Sequence, residues 1–106
     1  MYKITFYVPE AHLNPVKQAM FDQGAGKIGS YDCCAWQTKG TGQYRPLEGS
    51  NPFAGEKNQI ANEEEYLVEM VCTDDLIDTV IAALLKTHPY ETVAYSAWKT
   101  YENQRA

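Results

Sequence analysis

Two short stretches carry residue types that could bind a ligand or a metal ion. The first is GAGKIG, with glycines at Gly24, Gly26 and Gly29. This spacing fits the G-x-G-x-x-G pattern of dinucleotide-binding folds, in which a strand precedes the glycines and a helix N-terminus follows them. The second stretch is HPYE (88–91), in which an imidazole and a carboxylate lie three residues apart. The helices and strands that flank each stretch decide whether it binds a ligand or a metal ion or has a structural role.

A metal site is one chemistry that the second stretch permits. His88 and Glu91, joined by the thiolate of Cys33 or Cys34, would make a plausible shell for zinc or copper. Adjacent residues of a strand point to opposite faces, so both thiols would not reach one ion, and we assign Cys34 as the third ligand. Neither C-x-x-C nor H-x-x-x-H occurs. The alternative is that His88 bonds a nearby carbonyl while Glu91 caps or pairs at an interface.

We assign no catalytic residue from the sequence. There is no G-x-S-x-G motif, no Walker loop and no histidine placed beside a serine or cysteine nucleophile. The chain has two histidines, and we expect His12, at the start of a predicted helix, to be solvated; an interface contact is the alternative. The sequence therefore favours a binding protein, with a small metal-dependent hydrolase acting on a nucleotide-like substrate as an alternative.

Length, charge and cysteine content narrow the class of protein further. At 106 residues the chain is expected to form one domain, 1–106. Its formal net charge is −5 and its nine basic residues are scattered, which disfavours nucleic-acid and anionic-membrane partners. Three cysteines, an odd number, fit a reducing cytoplasm better than a disulfide framework.

Hydrophobic periodicity predicts six elements and one ordered loop excursion. We expect Pro15 near the start of the regular first helix, an N-cap at Thr73-Asp74, and a Gly-rich turn within TKGTGQYRP (38–46). The predicted order is strand Tyr2–Val8, helix about Ala11–Gln23, strand Ser30–Gly40, loop 46–62, strand Glu63–Cys72, helix about Asp75–Thr87 and strand Thr92–Tyr101, with a polar tail after it. This β-α-β-β-α-β order predicts an α+β, ferredoxin-like fold with an antiparallel sheet and both helices on one face.

The predicted order also answers the question that the glycines raise. GAGKIG follows a helix and precedes a strand, which is the reverse of what a dinucleotide site requires. Gly24 instead fits the C′ position that ends a helix. A backbone amide nest that holds another anion stays open as an alternative.

Aromatic residues are abundant, with eight tyrosines, three phenylalanines and two tryptophans. A single ferredoxin-like sheet leaves one face uncovered, and a second subunit is an economical cover for aromatic side chains. We therefore expect a homo-oligomer; the alternative is an ordinary core and a half-exposed sheet. The interface candidates are Tyr44, Phe53, Trp98 and Tyr101.

Three stretches together resemble one known family. They are the opening YKITFYVPE, the segment 24–56 and HPYETVAY (88–95). The chain is similar to the YqfO family, the stand-alone relatives of a PII/CutA-like domain inserted in GTP cyclohydrolase type 2-like (NGG-interacting-factor-like) proteins. The resemblance implies a fold similar to CutA and PII signalling proteins, which usually trimerise, and HPYE resembles the CutA stretch at the same helix-to-strand junction.

The resemblance also limits what can be transferred from the larger proteins. Their two metal ions lie in the halves that flank the inserted domain, so the resemblance carries no hydrolase activity to this chain. The family pattern often has His then Cys where this chain has Cys33 and Cys34. We interpret the chain as a non-enzymatic cytoplasmic sensor or binding module, favouring a trimer; an oligomeric assembly protein is a further alternative. The expected ligand or metal residues are Gly24, Gly26, Gly29, Tyr31, His88 and Glu91, with Cys34 as a third metal ligand.

Overall fold

A computed structural model describes residues 1–102. The predicted polar tail lies, from residue 103 onward, outside the described residues. A short 3₁₀ turn, Asp74–Leu76, precedes the second helix. The elements are β1 (Tyr2–Val8), α1 (Glu10–Asp22), β2 (Trp36–Tyr44), β3 (Ala61–Cys72), α2 (Ile77–Thr87) and β4 (Tyr95–Lys99).

The four strands form one antiparallel sheet in the order β2-β3-β1-β4. Strand β1 is central, pairing Tyr2 with Cys72 of β3 and with Lys99 of β4. This order is what a split β-α-β arrangement produces, because each helix connects two parallel strands across an antiparallel one. The α+β, ferredoxin-like fold expected from the sequence is confirmed.

The core lies between the sheet and the two helices. Alternate residues of β1 and β3 are buried because successive strand side chains point to opposite faces. Both helices bury one stripe against them, as their apolar spacing predicts. The buried apolar residues are Ile4, Phe6, Val8, Leu13, Val16, Met20, Ala25, Val68, Met70, Cys72, Val80 and Leu84.

Among residues 1–102 no helix covers the opposite face of the sheet, and we call it the open face. The register places Lys3, Thr5 and Tyr7 of β1 on this face, with Trp36 of β2 and Trp98 of β4 on its flanks. Trp36 is 67% exposed and Trp98 is 47% exposed. The open face therefore presents two large aromatic side chains to solvent.

Strand β2 is the element that the sequence predicted least well. It starts at Trp36 rather than Ser30 and continues to Tyr44, through the predicted Gly-rich turn. Cys33 has a φ of +54°, which breaks extended geometry before the strand can begin. Gly42 lies inside the strand, where the carboxylate of Glu65 on β3 fills the space that a side chain at position 42 would occupy.

Both helices begin differently from the prediction. Helix α1 starts at Glu10, so Pro15 lies inside it, held there because Leu13 and Val16 are buried against the sheet. Thr73 makes no side-chain cap; its carbonyl instead accepts the N–H of Leu76 in the 3₁₀ turn. Neither helix within residues 1–102 is long and apolar enough to cross a bilayer.

Candidate functional site

A cavity of about 600 Å³ opens where β1 and the β2–β3 hairpin end. The 45–60 connection forms one wall and the 88–94 segment after α2 forms another. Because β4 begins only at Tyr95, later than predicted, residues 90–92 and Ala94 are free to line this space. The residues that define its chemistry are Tyr7, Tyr44, Phe53, Glu65, Tyr90 and Glu91.

His88 is buried behind this cavity and ties the end of α2 to the sheet. Its Nε2 lies 2.6 Å from the carbonyl oxygen of Tyr7, and its Nδ1 lies 3.1 Å from the backbone nitrogen of Tyr90. A carbonyl only accepts and an amide N–H only donates, so Nε2 carries the proton and the ring is neutral. Burial lowers the pKa of His88, with the carbonyl of Tyr7 opposing that effect. Both ring nitrogens are therefore occupied by the backbone.

Tyr90 and Glu65 form a polar pair within the cavity wall. The Tyr90 hydroxyl donates to Glu65 Oε2 over 2.8 Å. Burial, followed by the hydrogen bond to Glu65, raises the pKa of Tyr90, so the phenol stays a donor at neutral pH. On the other side, a Cβ at Gly42 would overlap Glu65 Oε1. Glycine at position 42 therefore makes room for the carboxylate across β2.

Hydrogen bonds to backbone groups hold the 45–60 connection in place. Glu91 Oε1 accepts the N–H of Asn51 at 2.9 Å, and the hydroxyl of Tyr44 donates to the carbonyl of Ala54 at 2.8 Å. These contacts join residues 40 and 10 positions apart. The loop predicted for 46–62 is thus ordered by the same residues that line the cavity.

Phe53, at the tip of this connection, packs between two rings. Its centroid lies 5.8 Å from that of Tyr90 and 5.7 Å from that of His12. The expectation that His12 is solvated is wrong, because Phe53 partly covers it and its Nδ1 is buried with no hydrogen-bond partner among residues 1–102. Helix α1, the loop and the 88–91 segment therefore meet at this point.

Gly24 has the helix-ending role that the sequence predicted. Its φ is +100°, its N–H donates to Phe21 and the N–H of Ala25 donates to Met20. These two bonds make a Schellman motif, which glycine favours because it has no Cβ penalty at positive φ. The backbone donors at this end of α1 are used within the chain.

Gly26 joins the following segment to the sheet. Its N–H donates to Val71 at 2.7 Å, its carbonyl accepts the N–H of Cys34 at 2.8 Å, and a Cβ here would lie 3.0 Å from the Cys34 backbone. Gly29, at φ +57°, lies between Ile28 and Tyr31, which pair in an isolated bridge. The amides of residues 24, 25, 26 and 28 all donate to carbonyls of the chain, which leaves few for an anion.

The predicted metal ligands do not meet within one chain. Cys34 is held near Val71, which pairs with Lys3 at one end of β1, whereas His88 bonds Tyr7 at the other end. Four residues of strand separate these points by about 13 Å. Residues 1–102 contain no group of three or more His, Cys, Asp or Glu side chains that could hold a metal ion. A site using Cys34, His88 and Glu91 would need a second copy of the chain.

Sequence reasoning missed Glu65 and Gly42. The run Glu63-Glu64-Glu65 reads as a solvated strand entrance, although alternation alone puts Glu65 on the face opposite Glu64. The pairing of Glu64 with Thr41 and of Glu65 with Gly40 brings the latter carboxylate beside the glycine-rich part of β2. Two glycines facing an acidic run on the neighbouring strand would have been the signal.

The tertiary structure and its likeness to solved proteins define a PII/CutA-like fold. CutA1 from Pyrococcus horikoshii superposes with a TM-score of 0.70 at 15% identity, covering 98% of this chain and 87% of that one. PII-like CutA from Nostoc sp. PCC 7120 gives a TM-score of 0.67 at 14% identity over 94% of this chain and 81% of that one. At such identities the likeness shows the fold.

Sequence similarity identifies a narrower group of relatives than the fold does. It is 40% identical over 98 residues to a GTP cyclohydrolase 1 type 2 homolog of Halalkalibacterium halodurans, and 38% identical over 96 residues to that of Bacillus subtilis. These matches cover 92% and 91% of the chain but 26% of each relative. A Bacillus cereus protein related to NIF3 superposes with a TM-score of 0.79 at 36% identity, over 92% of this chain and 24% of that one. No protein-family model matches the chain.

The chain is thus related to a segment of the GTP cyclohydrolase 1 type 2 homologs, and the resemblance to these larger proteins stated from the sequence is confirmed. It spans about a quarter of the length of these curated relatives. The activity of the full-length relatives is therefore not assigned to this chain.

Proposed function

We propose that this chain is a non-enzymatic, PII/CutA-like binding module that holds a small ligand in the cavity beside His88–Glu91. One observation carries the proposal. The cavity has the volume of a small-molecule site, and its walls are held by hydrogen bonds between segments far apart in the chain. A preformed site of this kind costs little ordering when a ligand binds.

The state of His88 supports binding over catalysis. A general acid or base needs a ring nitrogen within reach of a substrate, and both nitrogens of His88 are engaged by backbone groups. A small metal-dependent hydrolase stays the alternative that the name of the relatives suggests. For this chain it would require a metal shell assembled between copies, because residues 1–102 hold no such group in one copy.

We further propose that the module is a homo-oligomer, with a trimer favoured by the resemblance to CutA and PII proteins. The support in this structure is the open face, with Trp36 and Trp98 exposed. Tyr7 and Glu65 lie on the cavity end of that face, so a partner bound there would border the cavity. The proposed subunit cleft then combines 88–91 of one copy with 24–31 of another, including Gly24, Gly26, Gly29 and Tyr31, and with Cys34 if a divalent metal is bound.

A cytoplasmic location is the setting we propose for this module. Cys33 is exposed, Cys34 is partly exposed and Cys72 is buried, and all three are free thiols. Free thiols persist in reducing compartments. A second candidate function, a pure assembly protein, is favoured by the same exposed tryptophans if no ligand is retained.

Native mass spectrometry of the untagged chain, before any chelator or added ligand, tests the proposal. We expect an oligomer, and retained excess mass on it would identify the ligand or metal. Trp36→Ser and Trp98→Ser should shift the protein toward monomer. Leu85→Ser is the matched control, because Leu85 is exposed on α2 rather than on the open face. A monomeric wild type that binds no metal, nucleotide or small anion or cation would overturn the proposal.

A further inference from the structure

We propose that the cavity beside His88–Glu91 takes a small organic cation with an apolar or aromatic body. The inference rests on the proposed function, because it assigns a ligand class to the same cavity. It follows from three features of the lining: aromatic rings, two carboxylates held at fixed positions, and a shortage of positive charge.

The rings supply the apolar part of the site. Tyr7, Tyr44, Phe53 and Tyr90 all line the cavity, and Tyr7 is 46% exposed while Phe53 is 54% exposed. The face of an aromatic ring carries negative charge density, so it attracts a cation within about 6 Å. Rings around a concave site are the arrangement by which proteins bind alkylated ammonium groups.

The carboxylates supply the charge. Glu65 accepts the hydroxyl of Tyr90 through Oε2, while its Oε1 lies over Gly42 and makes no hydrogen bond within residues 1–102. Glu91 accepts the N–H of Asn51 through Oε1, and its second oxygen is likewise unused in that part of the chain. Each carboxylate is oriented by the protein through one oxygen and keeps the other for a ligand.

The balance of charge in the lining opposes an anion. Arg45 is the cation that lines the cavity, against Glu65 and Glu91, and it is exposed. His88, behind the wall, is held neutral by its two backbone hydrogen bonds. The negative field of Glu63 and Glu65 also acts on Tyr44, whose pKa is raised first by burial and then by these carboxylates.

Within one copy, the cavity is suited to an organic cation rather than to a metal ion. Residues 1–102 contain no cluster of three or more His, Cys, Asp or Glu side chains suited to a metal. Two carboxylates without a third ligand leave a divalent ion under-coordinated. An alkylammonium group needs no such shell, because charge and ring faces suffice to hold it.

Three probes that share an aromatic ring but differ in charge test the ligand class. Benzyltrimethylammonium, benzyl alcohol and phenylacetate are titrated into the ¹⁵N-labelled full chain at constant ionic strength, and amide shifts are followed. We expect saturable shifts at residues around the cavity for the cation, with affinity at least about fivefold above that of the other two probes.

Adjacent glutamates of β3 provide a variant and its matched control. Glu65→Gln and Glu91→Gln keep the shape and each weakens cation binding by about three- to tenfold. Glu64→Gln removes the same charge from the opposite face of β3, where Glu64 pairs with Lys39, and leaves the affinity unchanged. Amide-shift dispersion verifies that each variant is folded.

The outcomes separate this inference from the proposed function. If phenylacetate or benzyl alcohol saturates the same amides as tightly as the cation, the assigned class is wrong and the cavity remains a ligand site. An equal loss of affinity in Glu64→Gln and Glu65→Gln also overturns the inference, because the effect is then that of net charge. If no probe produces saturable shifts at the cavity, the organic-cation inference fails, and the native mass spectrum decides separately whether the proposed binding function stands.

Discussion

Replacement of His88 by alanine is the perturbation with the clearest structural consequence. The side chain is 6% exposed and joins two segments, donating to the carbonyl of Tyr7 and accepting the N–H of Tyr90. The pairing of β4 with β1 ends at Phe6, one residue before Tyr7. The imidazole therefore extends the hydrogen bonding of the sheet beyond its last strand pair.

The expected loss of stability follows from the two partners left behind. A buried donor or acceptor without a partner costs about 1–3 kcal/mol. Two of them, partly relieved by water from the cavity, give about 2–4 kcal/mol for His88→Ala. In a domain of this size that corresponds to a fall in melting temperature of roughly 10–25 °C.

The assay is urea unfolding followed by circular dichroism at one fixed protein concentration. His12→Ala is the matched control, because His12 is also partly buried but has an Nδ1 with no partner in residues 1–102. We expect it to cost about 1 kcal/mol or less. Equal losses for the two alanine variants would refute the assignment of His88 as a hydrogen-bonded link.

The pH dependence gives an independent check on the same residue. Burial lowers the pKa of His88 in the folded state, so below the ordinary value of about 6.5 the unfolded state binds more protons. The contribution of His88 to stability is therefore present above that pH and decreases as the pH falls toward the folded-state pKa. The stability difference between wild type and His88→Ala should shrink between about pH 7 and pH 5. A difference that grows on acidification would mean that the folded state holds the imidazolium.

Two further predictions concern glycine geometry and thiol reactivity. Gly24→Ala should lower the free energy of unfolding in urea by about 1–2 kcal/mol, since φ is +100° and a Cβ would lie 2.7 Å from a leucine methyl group. Gly49→Ala is the control, because φ is +90° there but the space around a Cβ is open, and it should lower the stability less. A larger loss at Gly49 than at Gly24 would contradict the packing argument. Cys72 is buried with its thiol pKa raised by burial, so Ellman's reagent should titrate Cys33 and Cys34 in the native protein and Cys72 only after denaturation. Rapid reaction of three thiols in the native state would show that the β3 end opens readily.

The helices show where sequence reasoning succeeded. Leu13, Val16 and Met20 are spaced for one face of α1, and all three are buried. Val80 and Leu84 do the same in α2. This agreement arises because the period of apolar residues is a local property that survives whatever the helix packs against.

Strand β2 shows where sequence reasoning failed. The sequence predicts a strand from Ser30, yet Cys33 adopts positive φ and the strand starts at Trp36. Gly40 and Gly42 suggest a turn, yet they lie opposite Glu65 and Glu63 within the sheet. Strand propensity depends on the neighbouring strand, and the neighbour here comes more than twenty residues later.

The sequence by itself determined the order of elements, the antiparallel ferredoxin-like sheet and the apolar faces of the helices, because these depend on short-range periodicity and turn residues. Only the tertiary structure brought Glu65 to Tyr90, Asn51 to Glu91 and His88 to Tyr7, pairs that are 25, 40 and 81 residues apart. Contacts at such separations leave no local pattern: the HPYE stretch marks His88 and Glu91, but nothing in the sequence identifies Tyr7 and Asn51 as their partners. The cavity and its charge are products of those long-range contacts.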